Sequence, residues 1–136
     1  MVISFIIIVL HYIGDFIFQD EEWAVNKSKS FICLIRHTLT YSFLWFVSSY
    51  LLFRYYEGHG SSESLIGSML FFTITLFFHT VTDYYTSRIT SNLFAKKKLG
   101  SPIPNLGAFS MIGFDQILHY LQLFTTYYFV TKFLEV

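Results

Sequence analysis

The sequence has one cysteine, Cys33, two prolines, and a charged fraction of only 13%, where a soluble domain carries about 25%. A lone cysteine excludes an internal disulfide and leaves the redox compartment open. Net charge is zero, and no basic tract is long enough to serve as a nucleic-acid footprint, which excludes that class of partner. No alternating apolar–polar pattern predicts strands. Both prolines fall in the stretch Ser101-Pro-Ile-Pro-Asn-Leu-Gly107, where a continuous helix is not expected.

What is present is apolar and aromatic. Hydrophobic residues make up 54% of the chain, with 17 Phe and 10 Tyr, a composition suited to a lipid environment with ring-rich interfaces. Four apolar segments, at about residues 1–19, 31–53, 65–87 and 112–134, each approach the roughly 20 residues that span a bilayer core. Polar stretches at 20–30, 54–64 and 88–111 separate them. The expected fold is an all-α membrane protein, a single domain over residues 1–136 built as a four-transmembrane-helix bundle, since helices satisfy their own backbone in lipid. Residues 1–10 have neither a basic n-region before them nor a small-residue cleavage site after them, and read as part of an uncleaved first span.

Basic residues set the expected orientation. Lys27, Lys29, Arg88, Lys96, Lys97 and Lys98 flank one side, with Arg36 just inside the second span, against Arg54 and Lys132 on the other. Loops 20–30 and 88–111 are therefore expected in the cytoplasm and both termini outside.

Three histidine–aspartate pairs interrupt the apolar segments: His11 with Asp15, His79 with Asp83, and Asp115 with His119. Residues four apart share a helix face, and ionisable side chains in hydrocarbon mark functional sites. Counted from the cytoplasmic end at 1.5 Å per residue, these histidines and His37 lie about 9–12 Å deep and the aspartates about 4–6 Å. All four helices thus feed two adjacent layers. The outer halves of the spans show few polar residues, Ser48, Ser49 and Thr73 among them.

Imidazole nitrogen and carboxylate oxygen form the ligand set of zinc and of iron or manganese. Paired ligands at helical spacing and inward-facing bundle sites both have precedent. His11, His37, His79, His119, Asp15, Asp83 and Asp115 are the candidate metal ligands. They suffice for two ions, or for one ion with carboxylates orienting its histidines. Gln19 and Gln122 extend the same stripes. Arg36 is a candidate for binding an anionic substrate group, while Arg88 and the three consecutive lysines suit lipid head groups.

The run His11-Tyr-Ile-Gly-Asp15-Phe16-Ile-Phe-Gln19, followed by Trp23 and Lys27, resembles the opening signature of a family of small bacterial and phage membrane proteins, catalogued as domain of unknown function 3307. His37 with Tyr41, His79-Thr-Val-Thr-Asp83-Tyr84, and Asp115-Gln116-Ile-Leu-His119 extend the resemblance over essentially the whole chain. Where members carry a lysine soon after the third-helix aspartate, this chain has Tyr84-Tyr85-Thr-Ser-Arg88. The resemblance implies a shared site in a bacterial inner membrane, with phage origin open. A looser likeness to small inner-membrane metal-dependent hydrolases implies metal chemistry.

These readings converge on an intramembrane divalent-metal protein, zinc first, acting as a metal-dependent hydrolase on a membrane-proximal or lipid-like substrate from the cytoplasmic side. Asp15, Asp83 or Asp115 would serve as ligand or general base. Two alternatives use the same residues. One is a cation or proton transporter or relay; the other is a structural or interaction protein, such as a phage-encoded modulator, whose pairs lock the helices.

Overall fold

The computed structural model describes residues 1–100 and 106–136. Both prolines of the expected break, Pro102 and Pro104, lie outside the described residues. Among the described residues the chain is all-helical, with no strand. Helix α1 (Val2–Tyr12) runs into a π turn (Ile13–Ile17), and a short α2 (Glu21–Asn26) follows. Helix α3 (Phe31–Leu51) likewise ends in a π turn (Leu52–Tyr56), before α4 (Ser61–Ala95) and α5 (Ala108–Leu134).

Local chemistry sets the starts of these elements. The Asp20 carboxylate caps α2 by accepting the Glu22 N–H at 2.8 Å, and the Ser30 hydroxyl caps α3 by accepting the Cys33 N–H at 3.3 Å. Glu63 reaches back from the first turn of α4 to accept the Gly60 N–H at 2.7 Å. Such caps satisfy donors that a helix start leaves orphaned. Stretch 20–30, expected as a loop, therefore contains a helix, because the Asp20 cap and two acidic residues in the first turn favour one.

Two helical stretches, Phe31–Tyr56 and Ser61–Ala95, are long and apolar enough to cross a membrane, and Val2–Ile17 is a shorter apolar helix. Helix α4 has 35 residues, so at 1.5 Å per residue it is about 52 Å long and exceeds a hydrocarbon core of about 30 Å. It begins earlier and ends later than the apolar segment 65–87, since its polar ends add solvated turns.

Helix α4 sits between α3 and α5, while α2 packs on α3 and α1 on α5. Ile7, Tyr41, Trp45, Phe53, Phe71, Leu123 and Val130 form the apolar core. Small residues let the backbones approach: a Cβ on Gly67 would lie 2.7 Å from a Leu134 methyl and 3.0 Å from the Phe53 ring.

The interior is unusually polar. Among the described residues, fourteen buried polar side chains outnumber ten buried apolar ones, while Phe5, Phe43, Phe77, Leu121 and Phe129 face outward. A water-soluble fold shows the opposite preference. The polarity extends past the histidine layer, through Ser42, Ser49, Ser68, Thr75 and Thr126. The far half of the bundle is thus more polar inside than the sparse outer residues Ser48, Ser49 and Thr73 suggested. Small hydroxyls permit close helix contact and can bond their own helix, as Ser49 and Ser68 do to Phe46 and Leu65 carbonyls.

Candidate metal centre

Asp15 reaches the centre from the π turn that ends α1. That turn closes with the Phe18 N–H donating to the Ile13 carbonyl at 2.9 Å, a wider loop than α-helix allows. Gly14 lets it approach α3, because a Cβ there would stand 2.9 Å from the Tyr41 ring and 3.0 Å from a Leu44 methyl. Helix α3 supplies His37, α4 supplies His79 and Asp83, and α5 supplies Asp115 and His119.

Four atoms lie close together. His37 Nε2 lies 3.1 Å from His79 Nε2, 3.2 Å from Asp15 Oδ1 and 3.2 Å from Asp83 Oδ2. His79 Nε2 lies 3.7 Å from Asp15 Oδ1 and 3.5 Å from Asp83 Oδ2. Tetrahedral coordination at about 2.0–2.1 Å separates ligand atoms by about 3.3–3.4 Å. The five separations, 3.1–3.7 Å, bracket that length. Asp15 Oδ1 has no hydrogen-bond partner despite these short approaches, and the buried Nδ1 atoms of His37, His79 and His119 have none either.

A second group adjoins the first. His119 Nε2 lies 3.3 Å from Asp83 Oδ1 and 3.4 Å from Asp115 Oδ2. Ligand atoms of Asp15, Asp115 and His119 all fall within 4.8 Å of one another, as do those of His79, Asp83 and His119. These buried clusters could hold a metal ion.

Outer contacts hold the carboxylates in place. Gln116 donates to Asp15 Oδ2 at 3.0 Å, and Thr86 donates to Asp115 Oδ1 at 2.5 Å. Lys27 donates to Asp83 Oδ2 at 2.9 Å. Burial opposes the charge of Lys27, but Asp83 and then Asp15 outweigh it and hold its pKa above the ordinary lysine value. Lys27 thus offsets part of the charge of the three carboxylates.

His11 adjoins these groups but stands behind them. Its Nδ1 shares a hydrogen with the Tyr41 hydroxyl at 2.7 Å, and its Nε2 bonds Gln116 Oε1 at 2.6 Å. With both nitrogens engaged it supports Asp15 through Gln116. This departs from its expected place among the metal ligands, and the π turn explains the departure: four residues no longer complete the α-helical register that would align His11 with Asp15. Arg36 is exposed and lines no part of the cavity beside the centre; it adjoins His37 in sequence but points about 100° away around α3. Gln19 lines that cavity, whereas Gln122 bonds Thr75 and Thr126, away from the centre.

Lys27, Tyr41 and Gln116 fall in the stretches that carry the family resemblance, but neither their contacts at the centre nor that of Thr86 follow from residue spacing. Lys27 follows the break at residues 18–20, so no helical spacing links it to Asp15. Gln116 neighbours Asp115, and only the approach of α1 turns its amide onto Asp15.

Beside the centre lies a cavity of about 360 Å³. Asp15, Asp115 and Lys27 line its polar floor, and Val25, Phe94 and Ile112 its apolar wall. Compared with known proteins, the chain matches no family model, no curated protein and no solved structure.

Proposed function

We propose that this chain is an integral membrane protein whose buried His/Asp centre binds a divalent metal and hydrolyses a membrane-proximal or lipid-like substrate from the cytoplasmic side. The observation that carries the metal reading is the set of five separations of 3.1–3.7 Å among His37, His79, Asp15 and Asp83. The nitrogen and oxygen donors suit zinc first, then iron or manganese. The inverted burial, polar within and aromatic without, supports four spans in lipid, with α1 and α5 completing the bundle around α3 and α4. The resemblance to domain of unknown function 3307 fits the same placement in a bacterial inner membrane, phage-encoded or not.

Hydrolysis is favoured by the amphipathic cavity, whose apolar wall suits a chain and whose acidic floor adjoins the centre. A bound divalent ion lowers the pKa of a coordinated water to about 7 and polarises the scissile group. Around it, Asp15 or Asp115 would accept the proton of the attacking water and return it to the leaving oxygen. Lys27 would hold Asp83 in place.

A second reading draws on one observation. Beyond the histidines, Ser42 Oγ, Trp45 Nε1, Gln122 Oε1 and Thr131 Oγ1 are buried without partners, a row that suits a cation or proton path. The rings of Trp45, Phe53 and Phe71, stacked or tilted at 5.1–6.4 Å between centroids, interrupt that row and favour hydrolysis.

The test is metal content of detergent-purified protein prepared without chelator, wild type beside His79→Ala, followed by release assays on ester and phosphoester amphiphiles in mixed micelles. Stoichiometric metal in the wild type alone, with metal-dependent release, is the expected result. No bound metal ends the proposal. Metal without hydrolysis, but with cation flux into proteoliposomes, transfers the site to the transport reading.

A further inference from the structure

The two oxygens of Asp83 face different histidines. Oδ2 points to His37 Nε2 and His79 Nε2 at 3.2 and 3.5 Å, and Oδ1 to His119 Nε2 at 3.3 Å. Asp15 divides in a similar way, with Oδ1 beside His37 and His79 and Oδ2 turned to Gln116. A carboxylate whose two oxygens serve separate ligand sets is suited to joining two cations.

Resting on the metal reading above, we propose that the centre holds two divalent ions joined by the Asp83 carboxylate. The first takes His37, His79, Asp15 and Asp83, and the second takes His119, Asp115 and Asp83. The two positions differ as structural and catalytic sites do. Closed sites have four protein ligands, whereas reactive sites have three and keep one position open. The first set supplies four buried protein atoms. The second supplies three, and each set has one ligand on the cavity, Asp15 for the first and Asp115 for the second. Only the second ion has a position left unfilled beside that cavity, so it is the one placed to meet substrate.

Lys27 is compatible with both ions, because a carboxylate offers about four lone-pair sites and Oδ2 can serve an ion and an ammonium together. The second ion adds positive charge beyond what the carboxylates balance, which favours an anionic oxygen of the substrate in the open position. Paired ions about 3.5–4 Å apart are suited to clamping the attacking and leaving oxygens of a displacement.

Metal-stripped wild-type protein in detergent is titrated with Mn²⁺, counting bound ions per chain and recording the electron paramagnetic resonance spectrum at saturation. The expected result is two ions per chain with an exchange-coupled spectrum. His119→Gln should then bind one ion with an uncoupled spectrum, while His37→Gln should weaken the first site. One ion per chain in the wild type, or two without coupling, overturns the two-ion centre and leaves the single-ion reading standing. No bound ion removes both. The wild-type count and spectrum decide the question even if a variant fails to fold.

Discussion

Lys27 donates to Asp83 across 2.9 Å, although 56 residues separate them. The contact ties the short α2 helix to the ligand cluster and places a cation from a polar connection over the most buried carboxylate. Lys27→Met leaves Asp83 without this donor. The expected cost is about 1–3 kcal/mol, since an ionised partner is left unpaired. Thermal unfolding in detergent checks it; unchanged stability would show that the contact contributes nothing.

The same pair has a pH signature. The folded pKa of Lys27 lies above its unfolded value of 10.5. Its contribution is therefore fully present below the unfolded pKa and is lost as pH rises through the higher folded value. Wild-type stability should fall on strong alkalinisation, and the Lys27→Met protein should lack that part of the fall. Parallel alkaline slopes for the two proteins would contradict the assignment.

Gly14 decides whether α1 can bring Asp15 to the centre. Gly14→Ala places a methyl 2.9 Å from the Tyr41 ring, so overpacking should cost about 1–3 kcal/mol and lower metal retention. Gly113→Ala meets nothing within 4 Å and should be neutral or slightly stabilising. Melting temperature and metal content of the two variants, measured together, separate a steric effect from a general intolerance of alanine.

Gln116 joins His11 to Asp15 through both ends of its amide. Gln116→Leu removes both bonds, and metal affinity should drop by about 10–100-fold, the usual effect of losing a ligand's orienting partner. Competition with a graded series of chelators measures the drop. His11→Ala should reproduce most of it, and the double variant should fall short of the sum.

Arg36→Ala should leave metal content and stability within about 0.5 kcal/mol of wild type, as expected for an exposed side chain outside the site. A loss of metal or activity on that change would return Arg36 to the anion-binding role its guanidinium suggested.

The orientation of the bundle is open to a direct check. A reporter active only in the periplasm, fused between Lys96 and Lys98, should stay silent if the basic connection faces the cytoplasm. Activity there would invert the proposed topology.

By itself the sequence determined the all-helical character of the chain and the imidazole and carboxylate residues that could hold an ion. Apolar runs without alternation allow only helices, and an i,i+4 spacing fixes which residues share a face. Thus His79 with Asp83, and His119 with Asp115, keep their expected approaches of 3.5 and 3.4 Å. Tertiary structure decided which atoms meet. Helical periodicity leaves each helix free to rotate about its axis, and the rotations are set by close contacts at residues such as Gly14 and Gly67. The π turn shifted Asp15 onto α3 and left His11 to Gln116 and Tyr41, a register change that no spacing rule contains. Lys27 entered the site, and Arg36 stayed out, because packing of α2 and rotation of α3 are properties of the assembled bundle.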